Sequence, residues 1–318
     1  GATLQRSWKW YEEREYTMNI DPERLILPGA VDGKEVLLMY VETWDGLYAP
    51  IGVRRPEGDG PFPTVLLASG NGGEAMGWIR NAFKNRGYII DRLVEAGYAA
   101  AWIRYRTEVE LGYNNGGPLV RDMRQGRELF NRSPLEYEDE IAIIEFVKAL
   151  DWVDGDRVGL VGMSHGGEMV MKITSEYHGA AVGVASEPAS HEYLWLTPDE
   201  TAHVKEDTGL RDIESMMMTD TEKVRRRIDH DIATQRISGI QTPILVMGRE
   251  TDELQGIFRL NYELLEEAGK DVDWVSYDHD LHGYIYPIRG EDGEYEVNDV
   301  QREAIAYVIE YLDRYLKP

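Results

Sequence analysis

Six consecutive residues, Gly162-Met163-Ser164-His165-Gly166-Gly167, put a serine among small neighbours where an apolar run, RVGLVG at 157–162, gives way to a helical pattern. A G-x-S-x-G spacing at a strand-to-helix junction makes a turn too tight for bulky flanking side chains, and it lifts the serine Oγ clear of the sheet. The helix that follows aims its N-terminal N–H groups and positive dipole end at the same spot, which favours a developing oxyanion. Such a serine is suited to acyl transfer. A Gly-rich turn with a capping serine would carry the same residues, but the strand–turn–helix context and the added Gly167 favour the nucleophile.

A serine hydroxyl needs a neighbouring base, and the base needs an orienting acid. Where the nucleophile sits on such an elbow, the chain order is serine, then acid, then histidine. After the apolar run PILVMG at 243–248 comes Arg249-Glu250-Thr251-Asp252-Glu253-Leu254, and after VDWVSYD at 272–278 comes His279-Asp280-Leu281-His282-Gly283-Tyr284. Asp252 is the candidate acid, with Glu250 one side-chain alternation away as its rival. His282 is the candidate base, because the glycine behind it lets the loop turn the imidazole toward Ser164; His279 is the alternative. The catalytic expectation is therefore Ser164, Asp252 and His282.

The oxyanion should take one hydrogen bond from the backbone N–H of His165, the residue after the nucleophile. A second should come from the loop Ser69-Gly70-Asn71-Gly72-Gly73, with the Asn71 N–H favoured over that of Gly72. No G-K-[ST] follows that loop, so it does not read as a phosphate cradle. Trp78, Trp102, Arg106 and Trp195 are candidate substrate-binding residues, although core packing is the commoner role for each aromatic taken alone and ion pairing for the arginine. The His279/His282 pair has no further ligands nearby for zinc. There is no cysteine in the chain, so thiol nucleophiles and Cys-ligated metals are excluded. No metal and no cofactor is expected.

These residues must be positioned by a sheet. Short β-like runs at 35–43, 48–55, 64–69, 98–105, 157–162, 180–187, 243–248 and 272–278 alternate with helical stretches such as 80–96, 134–150, 255–269 and 300–316. That rhythm predicts an α/β fold with a mostly parallel central sheet flanked by helices. Trp44-Asp45-Gly46 reads as a hairpin turn. Residues 190–238 carry no strand signal and read as a lid-like insertion between the sixth and seventh strands. Residues 1–34, with turn signals at Asp21-Pro22 and Pro28-Gly29, read as an N-terminal lead packed on the body, and 35–318 as one domain carrying that insertion.

The chain of 318 residues holds 58 acidic against 34 basic side chains, a formal net charge of −24, and only nine of the basic residues are lysine. Such a surface repels nucleic acid and anionic lipid, so neither is an expected partner. The imbalance suits an ordinary acidic enzyme or one working in high salt. No run of eighteen apolar residues offers a membrane span, and the first ten residues lack the apolar stretch of a leader. A cytoplasmic and a secreted location both stay open, as does a homo-oligomer.

With these motifs quoted, the chain resembles the α/β-hydrolase superfamily over roughly residues 35–316. The likeness is greatest to the branch holding dienelactone hydrolases, acetyl- and feruloyl-type esterases and the catalytic domains of prolyl-oligopeptidase-like peptidases. The segment DGDRVGLVGMSHGG at 154–167 looks like that branch's elbow with its strand. Asp252-Glu253-Leu254 is similar to its acid loop, and His282-Gly283-Tyr284 to its histidine loop. Tyr105-Arg106 is similar to its Tyr-Arg-Gly element with Thr107 in place of the glycine, and Ser69-Gly70-Asn71 stands where His-Gly-Gly is usual. The resemblance implies a cofactor-free covalent acyl-enzyme mechanism on a small-molecule ester. Two alternatives are carried: a small-peptide or amide hydrolase on the same triad, and a non-catalytic binding protein of this fold.

Overall fold

The computed structural model describes residues 26–31, 34–46, 48–70, 75–105, 135–206 and 209–317. Within these, nine strands form one sheet: β1 (Ile26–Val31), β2 (Lys34–Glu42), β3 (Tyr48–Arg54), β4 (Phe62–Ala68), β5 (Ala99–Ile103), β6 (Val153–Met163), β7 (Val182–Ser186), β8 (Ile244–Arg249) and β9 (Val272–Tyr277). Their order across the sheet is β1-β2-β3-β5-β4-β6-β7-β8-β9. β1, β2 and β3 pair antiparallel, and β3 meets β5 antiparallel. From β5 onward every pairing is parallel.

The expected strands all form, and β1 adds one inside the segment read as an N-terminal lead. Pro28-Gly29 signalled a turn there. The pair instead sits in an edge strand whose register with β2 shifts between Leu27 and Val31, and edges and bulges are where a sheet tolerates proline. The helical stretch expected over 80–96 is two helices, α1 (Met76–Asn85) and α2 (Tyr88–Glu95).

Strand alternation sends neighbouring side chains to opposite faces. Leu66 and Ala68 of β4 join one apolar cluster, while Val65 and Leu67 join the other. The first face is covered by α3 (Leu135–Lys148), α4 (His165–Glu176), α6 (His230–Gly239) and α7 (Gln255–Glu267). The second is covered by α1, α2 and α8 (Asp299–Leu316). Burial on both faces explains why β4 and β6 read as continuous apolar runs.

Residues 190–238 contain a bridge between Val204 and Arg211, a short 3-10 turn at Ile213–Ser215, α5 (Thr221–Arg225) and α6. Tyr193, Leu194, Leu196, Met216, Met218 and Ile237 put this segment's apolar side into the first cluster, whereas Met217 is exposed. Its backbone is tied to the chain around α7: Met218 N–H donates to Glu253 at 3.0 Å, and Gly256 N–H donates to Met218 at 2.7 Å.

Candidate active site

The C-terminal ends of parallel strands, where open α/β sheets bind ligands, bring three loops together here. β6 ends at Met163, and Ser164 follows as the residue preceding α4, with φ 57° and ψ −117°. A non-glycine residue at positive φ is held there only by its surroundings. Ser164 N–H donates to Ser186 O at 3.0 Å, and Ser164 O accepts from Glu168 and Ala189 N–H at 3.1 Å each. A Cβ on Gly162 would stand 2.0 Å from Gly166 O, and one on Gly166 would stand 2.7 Å from Ser69 O. Only glycine fits at either flank, so the elbow has the geometry the motif implied.

The loop after β4 lies against this serine. A Cβ on Gly70 would come 3.1 Å from Ser164 Cβ and 3.4 Å from Oγ. Arg104, fully buried at the end of β5, braces that loop by donating to Ser69 Oγ at 2.9 Å, and its guanidinium lies 4.0 Å from the Trp78 ring centre. Asn71, the favoured second oxyanion donor, lies outside the described residues, as does Arg106. His165 occupies the first position of α4, where backbone N–H groups have no partner within the helix. Its ring does separate work, wedged between Glu136 Oε2 at 3.1 Å and Glu168 Oε2 at 3.2 Å. Burial opposes charge on Glu168, yet Lys172 and His165 hold it well below the usual carboxylate range. Glu168 also accepts from the Glu192 and Tyr193 N–H groups at 2.8 Å each, so this buried cluster ties the elbow helix to the chain after β7.

The loops after β8 and β9 meet at one nitrogen. His282 Nδ1 lies 2.8 Å from Asp252 Oδ2. Asp252 is buried and accepts from Leu254 N–H at 2.8 Å and from Arg249 Nε at 2.9 Å. Burial alone would raise its pKa, but the hydrogen bonds from His282 and Leu254 and the charges of His282 and Arg249 bring it below the ordinary value. Its rival Glu250 is exposed. The rival histidine, His279, accepts the Leu281 N–H on Nδ1 at 2.9 Å. Gly283 has φ 80°, and a Cβ there would strike Met163 Cε at 2.4 Å. The histidine loop is thereby seated on the residue before Ser164.

One residue at this centre was missed by the sequence reading. Glu187, the first residue after β7, is fully buried, and its Oε1 lies 3.2 Å from His282 Nδ1. Both its carboxylate oxygens accept the Gly283 N–H, at 3.0 and 2.9 Å. The available signal was an acid closing the apolar run AAVGVASE at the sheet edge that also carries Ser164 and Asp252. Burial by itself favours a neutral imidazole, yet Asp252 and Glu187 outweigh it and push His282 up to about 9. Among the described residues, Glu187, Asp252 and His282 form a group whose donor atoms lie within 4.8 Å of one another, as a metal site would need. Arg249 already lies 2.9 Å from Asp252 Oδ2 and 3.6 Å from Glu187 Oε1 as the cation there.

The pocket candidates separate by depth. Trp78 and Trp195 are half-buried. Trp102 is fully buried, edge-on to Trp78 at 5.5 Å and to Tyr286 at 4.7 Å, so its packing is that of a core side chain backing Trp78. Trp195 has φ 51°, and the Arg236 guanidinium lies 5.8 Å from its ring centre.

Sheet order, elbow and strand-end loops define an α/β-hydrolase fold. A profile of the prolyl oligopeptidase family matches residues 90–315, and the chain belongs to that family of serine hydrolases. Among solved structures, it is similar to EstE1, a thermophilic and thermostable carboxylesterase cloned from a metagenomic library, at 19% identity and TM-score 0.59, covering 89% of this chain and 90% of that one. A hyperthermophilic esterase from the archaeon Pyrobaculum calidifontis is similar at 17% identity and TM-score 0.58, over 88% of this chain and 85% of that one. The acylaminoacyl peptidase of Pyrococcus horikoshii is similar at 16% identity and TM-score 0.60, over 89% of this chain but 42% of that one. Among curated proteins, none matches the chain in sequence. No helix among the described residues is long and apolar enough to cross a membrane.

Proposed function

We propose that this serine hydrolase cleaves carboxylic esters through an acyl-enzyme on Ser164, with His282 as base and Asp252 as acid. The 2.8 Å contact of Asp252 Oδ2 with His282 Nδ1, on a loop whose Gly283 packs against Met163, the residue before Ser164, carries the reading. With Nδ1 facing the carboxylates, Nε2 takes the Ser164 proton as Oγ attacks the ester carbonyl carbon. The carbonyl electron pair moves onto oxygen, where the N–H groups of His165 and Asn71 donate. Losing one such donor costs on the order of 10²–10³ in rate. The imidazolium protonates the departing alkoxide, and a water activated by the same ring then releases the acid from Ser164.

Two esterases among the similar structures support the ester reading, and the similar acylaminoacyl peptidase keeps amide hydrolysis on the same triad as the second reading. Trp78, Trp195 and Arg106 are the proposed substrate contacts, with Trp102 backing Trp78. Residues 190–238 are the proposed lid, anchored beside the acid loop through Met218.

The test is Ser164→Ala against the parent enzyme on p-nitrophenyl acetate and on an aminoacyl p-nitroanilide, with fluorophosphonate labelling of both proteins. The expected result is ester turnover and labelling in the parent, both lost in the variant. Turnover retained by pure Ser164→Ala removes the serine from the mechanism. A larger kcat/KM on the anilide moves the reading to amide hydrolysis. A folded parent that fails to label points to a binding protein.

A further inference from the structure

We propose that Glu187 is a second acid for His282, a positioning residue that shares with Asp252 the task of orienting the imidazole and balancing its charge. The proposal rests on the triad reading above and deepens it.

Glu187 is fully buried, follows β7 directly and holds φ 48°, a conformation that costs a non-glycine residue energy. A buried carboxylate is tolerated only with partners. Besides Ser186 Oγ at 3.5 Å, those of Glu187 lie at or after the ends of β8 and β9: His282 Nδ1 at 3.2 Å, the Gly283 N–H at 3.0 and 2.9 Å, and Arg249 Nε at 3.6 Å. Asp252 reaches the same Nδ1 at 2.8 Å. One ring nitrogen therefore faces two carboxylates carried by two different strands. Arg249, from the end of β8, pairs with both carboxylates, and Phe258 of α7 stacks on the ring at 6.4 Å as an apolar neighbour. When the Asp252 charge is removed, the Nδ1 proton still has an anionic acceptor.

The experiment uses the full chain with Glu187→Gln, Asp252→Asn and both together, measuring kcat and the pH profile of kcat/KM on p-nitrophenyl acetate. Glutamine keeps an oxygen for the Gly283 N–H and removes only the charge. Where a single carboxylate orients the histidine, its loss costs about 10⁴ in kcat. Shared acids predict a loss of about 10- to 100-fold for each single variant and about 10⁴ for the double, more than the product of milder singles. Each single variant also moves the acid limb of the pH profile to lower pH, which a purely structural role would not do. An Asp252→Asn loss of about 10⁴, with Glu187→Gln leaving kcat and the limb unchanged, overturns the proposal. If Glu187→Gln does not fold, Asp252→Asn alone decides: above about 1% of parental kcat supports sharing, and a loss near 10⁴ refutes it. Ser164→Ala keeps the two ideas apart, since activity surviving that change sinks the triad, whereas a silent Glu187→Gln in a serine-dependent enzyme sinks only the second acid.

Discussion

The carbonyl oxygen of Gly166 stands 2.0 Å from where a Cβ on Gly162 would be. The neighbour is backbone, so no rotamer change relieves the clash, and the turn that raises Ser164 exists only while position 162 is bare. Overpacking of this kind costs about 1–3 kcal/mol when side chains can yield, and more when they cannot. Gly162→Ala is expected to lower the melting temperature by several degrees and to abolish fluorophosphonate labelling in whatever folds. A variant that melts like the parent and labels at the parental rate would show that the elbow can open.

The second expectation concerns pH. A histidine acts as base only when neutral, and the paired carboxylates push His282 up to about 9. The kcat/KM for an ester should therefore rise about tenfold per pH unit between 7 and 9, then level off. A pH–rate profile on a buffer series at constant ionic strength checks this. A limb at the ordinary histidine value, about 6.5, would mean that the carboxylates do not act on the ring as their distances imply.

The same ion pairs affect stability with a definite sign. The folded pKa of His282 is raised above its unfolded value, so its pairing stabilises the fold fully below about pH 6.5. That contribution disappears as pH rises through about 9. Asp252 is shifted the other way; its contribution is present above the unfolded value of about 3.9 and is lost as pH falls through the folded one. His282→Gln should therefore melt below the parent at pH 6, with the gap closing above pH 9 in a thermal scan. A gap independent of pH would assign the effect to packing.

Much of this site was legible because the decisive signals are local. Gly162 and Gly166 are required by a turn of a few residues, and Asp252 and His282 each follow an apolar run at a sheet edge. Glu187 was not legible, because what distinguishes it is a partner 96 positions away, the Gly283 N–H. Its type and position alone fit a strand end meeting solvent. β1 was missed for a related reason: pairing with β2 across a bulge overrides the turn signal of Pro28-Gly29. Trp102 carried an aromatic signal that suits a pocket wall as well as the commoner core role, and only the rings of Trp78 and Tyr286 around it decide. Short-range chemistry shows in the chain, whereas long-range pairing and depth require the fold.

The last prediction lies one turn along α3 from Glu136, the carboxylate that holds the His165 ring. Glu140 is buried, its Oε2 has no hydrogen-bond partner among the described residues, and burial together with the Glu136 charge pushes its carboxyl up to about 8. Its folded pKa exceeds the unfolded value of about 4.3, so the unfolded chain loses this proton first and stability falls as pH climbs between the two values. Above pH 8 the full cost is present. Glu140→Gln keeps the shape and removes the titration. It should match the parent near pH 4.5 and melt higher by on the order of 5 °C at pH 9. Differential scanning calorimetry at the two pH values decides: an equal difference at both would mean that this carboxyl keeps an ordinary pKa inside the fold.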